Sequence, residues 1–68
     1  MSKQIDRWET HYTDKWNGKQ SVHVNKNNQS DASGWTKSLA RDHNCKAECY
    51  EVYKDGTRRH IVSHGDLD

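Results

Sequence analysis

The sequence predicts a small α+β domain, ββαββ in order, with one helix packed on one face of an antiparallel sheet. Three observations predict it. Asn17-Gly18 and Asp55-Gly56 each stand beside stretches that alternate apolar and polar residues, the pattern of a hairpin closed by a tight turn. Between them, Ala32, Trp35, Leu39 and His43 recur at three- and four-residue spacing, the pattern of one buried helix face. The 68 residues make one domain, near the lower size limit for a self-sufficient core.

The first element carries two periods at once. Ile5, Trp8, Tyr12 and Trp16 follow helical spacing, whereas Trp8, Thr10 and Tyr12 alternate as in a strand. Threonine and ring content favour the strand. Val22 and Val24 alternate beyond Asn17-Gly18 and complete the hairpin. "NKNNQSD", residues 25 to 31, reads as a loop in which Ser30 or Asp31 caps the helix. Thr36, Lys37, Arg41 and Asp42 are expected to point mostly outward, and Asn44 suits the helix C-terminus. In the second hairpin a two-residue turn at Asp55-Gly56 sets Tyr50 against Ile61, Glu51 against His60 and Val52 against Arg59. Tyr50, Val52 and Ile61 then face the core, with Cys49, Glu51, Tyr53, Arg58, His60 and Val62 on the other side. Residues 1–4 and the tail from His64 to Asp68 are expected to fray.

Composition narrows the class. A mean hydropathy of -1.39 and 31% charged residues lean toward disorder, but three Trp and three Tyr supply buried area to a small core. Net charge is +1 and pI about 7.8, below the range of a dedicated nucleic-acid binder. No apolar run approaches a signal h-region or a membrane span, so a soluble protein without membrane partners is expected. Two cysteines four residues apart do not form a secreted disulfide framework, which points to a reducing cytoplasmic setting.

"LARDHNCKAECYEVYKDGTRR" combines an alanine-containing helix, a small polar turn, an apolar strand and a "DG" turn followed by basic residues. Through Leu39, Ala40, Arg41, Ala47, Val52, Lys54, Asp55, Gly56 and Arg58 it resembles a family of short bacterial and phage domains. Cys and Tyr stand where an aliphatic strand runs in that pattern. The resemblance implies a fold and no activity; a phage origin would place the protein in the host cytoplasm.

Cys45, Cys49, His60 and His64 have the pair spacings of a two-cysteine, two-histidine zinc site. The ten-residue spacer between the pairs is short. Histidines four positions apart lie roughly 6 Å apart on a helix but about 13 Å apart on a strand. "DGTRRHIVSH" reads as turn and strand, so no metal and no cofactor is expected. A nucleophile pair of Cys49 and His60 lacks an orienting residue and a cleft, so no enzyme is expected either.

Two binding readings remain. In the first, aromatic and Arg side chains on the sheet anchor a protein partner, as in an adaptor or inhibitor. The candidates are Tyr53, Arg58, His60, Arg59, Trp8 and Trp16. In the second, the same rings stack bases while Lys15, Lys19, Lys54, Arg58 and Arg59 form one basic edge, provided both turns lie at one end of the sheet.

Overall fold

The computed structural model describes residues 4–65. Its elements are β1 (Ile5–Thr13), β2 (Gln20–Asn25), α1 (Gln29–Asp42), β3 (Ala47–Tyr53) and β4 (Arg58–His64). The strands form one antiparallel sheet in the order β2-β1-β3-β4, so the two hairpins lie side by side with β1 and β3 central. The ββαββ order is the expected one, and residues 5 to 12 are strand.

The helix starts earlier than Ser30 or Asp31 would allow. Asn28 is the N-cap, and its side-chain oxygen accepts from the Asp31 backbone N–H at 2.7 Å. At the other end Asn44 adopts φ 50°, Asn44 N–H donates to Arg41 C=O, and Cys45 N–H donates to Ala40 C=O. This paired closure satisfies carbonyls the helix leaves open.

Between helix and sheet the packing is close, because the facing residues are small. Ala32, Thr36 and Ala40 lie on the helix face opposite Thr10, Ala47 and Cys49 of the sheet, all buried, and Leu39 adds a large aliphatic side chain beside them. Thr36, expected outside, is fully buried, and Trp35, expected inside, is 46% exposed. The reason is a hydroxyl pair: Thr36 Oγ1 lies 2.8 Å from Thr10 Oγ1 and donates to the Ala32 carbonyl. An indole would not fit where those hydroxyls meet, so Trp35 turns to the margin and stacks on His23 at 4.8 Å.

The faces of the second hairpin differ from expectation. Tyr53 N–H donates to Thr57 C=O and Gly56 N–H donates to Tyr53 C=O, so the turn contains three residues, with Gly56 at φ 89°. A two-residue turn of the expected type needs positive φ at both central positions; Asp55 does not adopt it. The register moves by one: Tyr50 pairs with His60, Glu51 with Arg59 and Val52 with Arg58. Cys49 and Glu51 face the helix, and Tyr50 and Val52 face away. Ile61 is the extra residue of a bulge between the Tyr50–His60 and Cys49–Val62 pairs, half-buried rather than in the core.

The chain ends are tied where they are described. Lys54 N–H donates to Gln4 C=O, and His64 pairs with Ala47. The rest of the expected fraying, residues 1–3 and 66–68, lies outside the described residues.

Candidate functional site

The helix covers one face of the sheet, and among the described residues nothing packs over the other. In β1 the alternation of a strand sends Trp8, Thr10 and Tyr12 toward the helix and Arg7, Glu9 and His11 away from it. Pairing brings Val22, Val24, Glu48, Tyr50, Val52, Arg58 and His60 onto the same open face.

Tyr50 is the centre of that face. His11 and His60 meet its ring edge-on at 5.1 and 5.5 Å. The Arg58 guanidinium lies 4.7 Å from the ring centroid, an attractive placement for a cation over a π face. Tyr50 O–H donates to Glu48 at 2.8 Å. That hydrogen bond, with some burial, raises the phenol pKa, so Tyr50 stays a neutral donor. Val52 lies between Arg7 and Arg58 in the register and is buried although it faces away from the helix. The stems of the two arginines account for this, since long cationic side chains cover apolar surface while their heads stay in water.

The two arginines differ in what holds them. Arg7 is engaged by Asp6 and by Glu9, whose Oε2 accepts from Arg7 Nε at 2.8 Å, and His11 contacts the other Glu9 oxygen at 3.1 Å. Arg58 forms no salt bridge among the described residues. Beside it a shallow depression of about 440 Å³ opens between Tyr50, Glu48, Lys46 and His11. A larger depression, about 550 Å³, lies along the helix at Asn28, Asp31 and Trp35. Its best polar groups are already used: Asn28 caps the helix, and Asp31 accepts from Asn25 at 2.6 Å. The smaller depression is the better candidate site.

Of the residues proposed from sequence, Arg58 and His60 lie on the open face, and His60 also contacts Ser63 at 2.7 Å. The others do not join them. Tyr53 is on the helix side, where its hydroxyl donates to buried Glu51, and Arg59 approaches the same carboxylate at 3.7 Å. Trp8 is half-buried on the helix side. Trp16 is 77% exposed in the β1–β2 turn, edge-on to His43 at 5.1 Å. That turn is anchored by Lys15 N–H donating to His43 Nδ1 at 3.1 Å. Tyr50, His11 and the exposed Val22 and Val24 were not among the sequence candidates. Their signal is in β1: Arg7, Glu9 and His11 alternate with Trp8, Thr10 and Tyr12, and the charged set marks the solvent side.

The zinc-like quartet is dispersed. Cys49 is fully buried beneath the helix, His60 lies on the opposite face, Cys45 is in the α1–β3 connection and His64 pairs with Ala47. Among the described residues no group of three or more His, Cys, Asp or Glu is placed to hold a metal. The two turns lie at opposite ends of the sheet, because β3 runs antiparallel to β1. The single basic edge expected from sequence is therefore two separate clusters. Among the described residues no helix is long and apolar enough to cross a membrane. The chain matches no protein-family model, no curated protein and no solved structure.

Proposed function

We propose that this protein is a non-enzymatic binding module that takes a protein partner on its helix-free sheet face, with Arg58 and Tyr50 at the centre of contact. The observation that carries this reading is the Arg58 guanidinium stacked over Tyr50 on an uncovered face, with no carboxylate of its own among the described residues. A planar cation held over a ring is positioned to fork onto an incoming carboxylate, while Tyr50, Val22 and Val24 supply area. The partner is then a segment bearing an Asp, a Glu or a terminal carboxylate next to apolar side chains. Nucleic acid fits less well. Glu9 and Glu48 share the face, and the basic clusters at the two turns do not adjoin.

The test is selection from displayed random peptides on the immobilised chain, followed by affinity measurement with Arg58→Ala and Tyr50→Ala. Acidic peptides with apolar neighbours should be selected, and each variant should bind them about fivefold or more weakly while keeping the wild-type circular dichroism. Peptides that bind wild type and both variants alike would place the site elsewhere. Selection of none, with a single-stranded oligonucleotide binding steeply weakened by salt, would favour phosphate recognition instead.

A further inference from the structure

The two edges of the sheet are built differently. β4 carries Arg58 and Arg59 and is interrupted by the bulge at Ile61. Charges and bulges are the usual means of keeping an edge from pairing with another chain. β2 has neither. Gln20–Asn25 contains no Lys, Arg, Asp, Glu or Pro, and its register against β1 is unbroken.

Which groups β2 offers follows from the ladder. Asp14 N–H donates to Lys19 C=O, and hydrogen-bonded pairs alternate along an antiparallel ladder. The pairs directed into β1 are therefore Tyr12 with Ser21, Thr10 with His23 and Trp8 with Asn25. The N–H and C=O groups of Gln20, Val22 and Val24 point outward. Their side chains stand on the open face, where Val22 is 48% and Val24 49% exposed.

We propose that β2 pairs antiparallel with β2 of a second copy, about a two-fold axis at His23. Outward residues must face outward residues, so the axis falls on a residue and not between two. At His23 it sets Val22 against Val24 of the second copy, twice, with Ser21 against Asn25 and Gln20 against Lys26. Apolar meets apolar on the open face, no lysine opposes a lysine, and His23 meets His23 of the second copy on the helix side of the axis. Placed at Val22, the axis would instead set each Val24 against a Gln20. An axis between residues 22 and 23 would oppose Lys19 to Lys26 and pair outward groups with inward ones. Val22-His23-Val24 reads the same in both directions, so an antiparallel second copy of this chain complements it residue for residue, and a second copy is the occupant. It joins two four-stranded sheets into one, with both helices on the same side. Trp35, stacked on His23 and 46% exposed, then flanks the axis from each copy. The paired molecule presents two Tyr50 faces side by side, but the pairing does not depend on what those faces bind.

Sedimentation velocity and amide hydrogen exchange of wild type from micromolar to millimolar concentration test this, together with Val24→Lys. Wild type should move toward twice the 8.0 kDa chain mass as concentration rises. The Val22 and Val24 amides should become protected over the same range. Val24→Lys, folded by circular dichroism, should raise the dissociation constant about tenfold or more. The proposal is overturned if wild type stays monomeric at millimolar concentration, if it dimerises without protecting those two amides, or if a folded Val24→Lys dimerises equally well. Should that variant not fold, the wild-type exchange data decide alone.

Discussion

Thr10 and Thr36 form a short hydroxyl relay beneath the helix. Thr36 O–H donates to the Ala32 carbonyl, so its oxygen is left to accept from Thr10 O–H. The two ends of the relay are unequal. Thr36→Val leaves the buried Thr10 hydroxyl without a partner, which should cost about 1–3 kcal/mol. Thr10→Val leaves Thr36 still bonded to Ala32 and should cost about 1 kcal/mol. The double variant should cost less than the sum of the two, because no orphan hydroxyl remains. Urea denaturation of the three variants checks this, and equal costs for the single variants would mean that the relay does not run in this direction. The same site shows why the helix face was only partly legible in the sequence. Ala32, Leu39 and His43 lie inside as their spacing indicates, but Trp35 and Thr36 exchange places. Hydropathy favours the indole; the narrow layer set by Ala47, Cys49 and Thr10 favours the residue that is small and can bond across it. That choice depends on a partner strand remote in sequence.

Each hairpin was legible as a hairpin, whereas its turn geometry was not. The dipeptides Asn17-Gly18 and Asp55-Gly56 mark the turns correctly, yet only the glycine of each adopts positive φ, so both loops are longer than two residues. In the second hairpin one added turn residue shifts the register by one pair, and a one-residue shift exchanges strand faces. The pairs of Arg58 with Val52 and His60 with Tyr50 put both on the open face, and the bulge beyond them at Ile61 then returns Val62 to the helix side. The glycines should therefore respond in opposite directions. Gly56 is at φ 89° with open space around it, so Gly56→Ala meets no clash but a strained backbone and should destabilise by about 1 kcal/mol or more. Gly34 lies inside the helix, and a methyl group added there would meet nothing within 4 Å. Gly34→Ala should stabilise by about 0.5–1 kcal/mol. Thermal melts of the pair decide; a stabilised Gly56→Ala would contradict the left-handed turn.

One sheet in this molecule serves two chemistries, with small buried side chains on the helix side and a charged, ring-bearing surface on the other. The division is written in β1, where Arg7, Glu9 and His11 alternate with Trp8, Thr10 and Tyr12, although Trp8 was expected on the binding surface; in β3 it is not. There Glu51 is the obstacle: a carboxylate reads as solvent-facing, yet it is 5% exposed beneath the helix, held by Tyr53 and approached by Arg59. The open face should show itself through acid sensitivity. Burial alone would raise the Glu9 carboxyl pKa, but hydrogen bonds from Arg7 and His11 outweigh it and hold the folded-state value below the ordinary one. A carboxyl depressed in the folded state stabilises above its unfolded pKa, about 4.3, and that contribution disappears as pH falls through the folded value. The pairing faces solvent, so its size should stay below about 1 kcal/mol. Glu9→Gln should therefore be less stable than wild type at pH 7 and should lose less stability below about pH 4.3. Arg7→Gln removes the main donor from the other side and should flatten the same part of the curve. Urea midpoints measured across that range decide between a local and a distributed origin. If wild type and both variants lose stability in parallel, acid acts through other carboxylates, and the Arg7–Glu9–His11 row contributes only to the surface it presents.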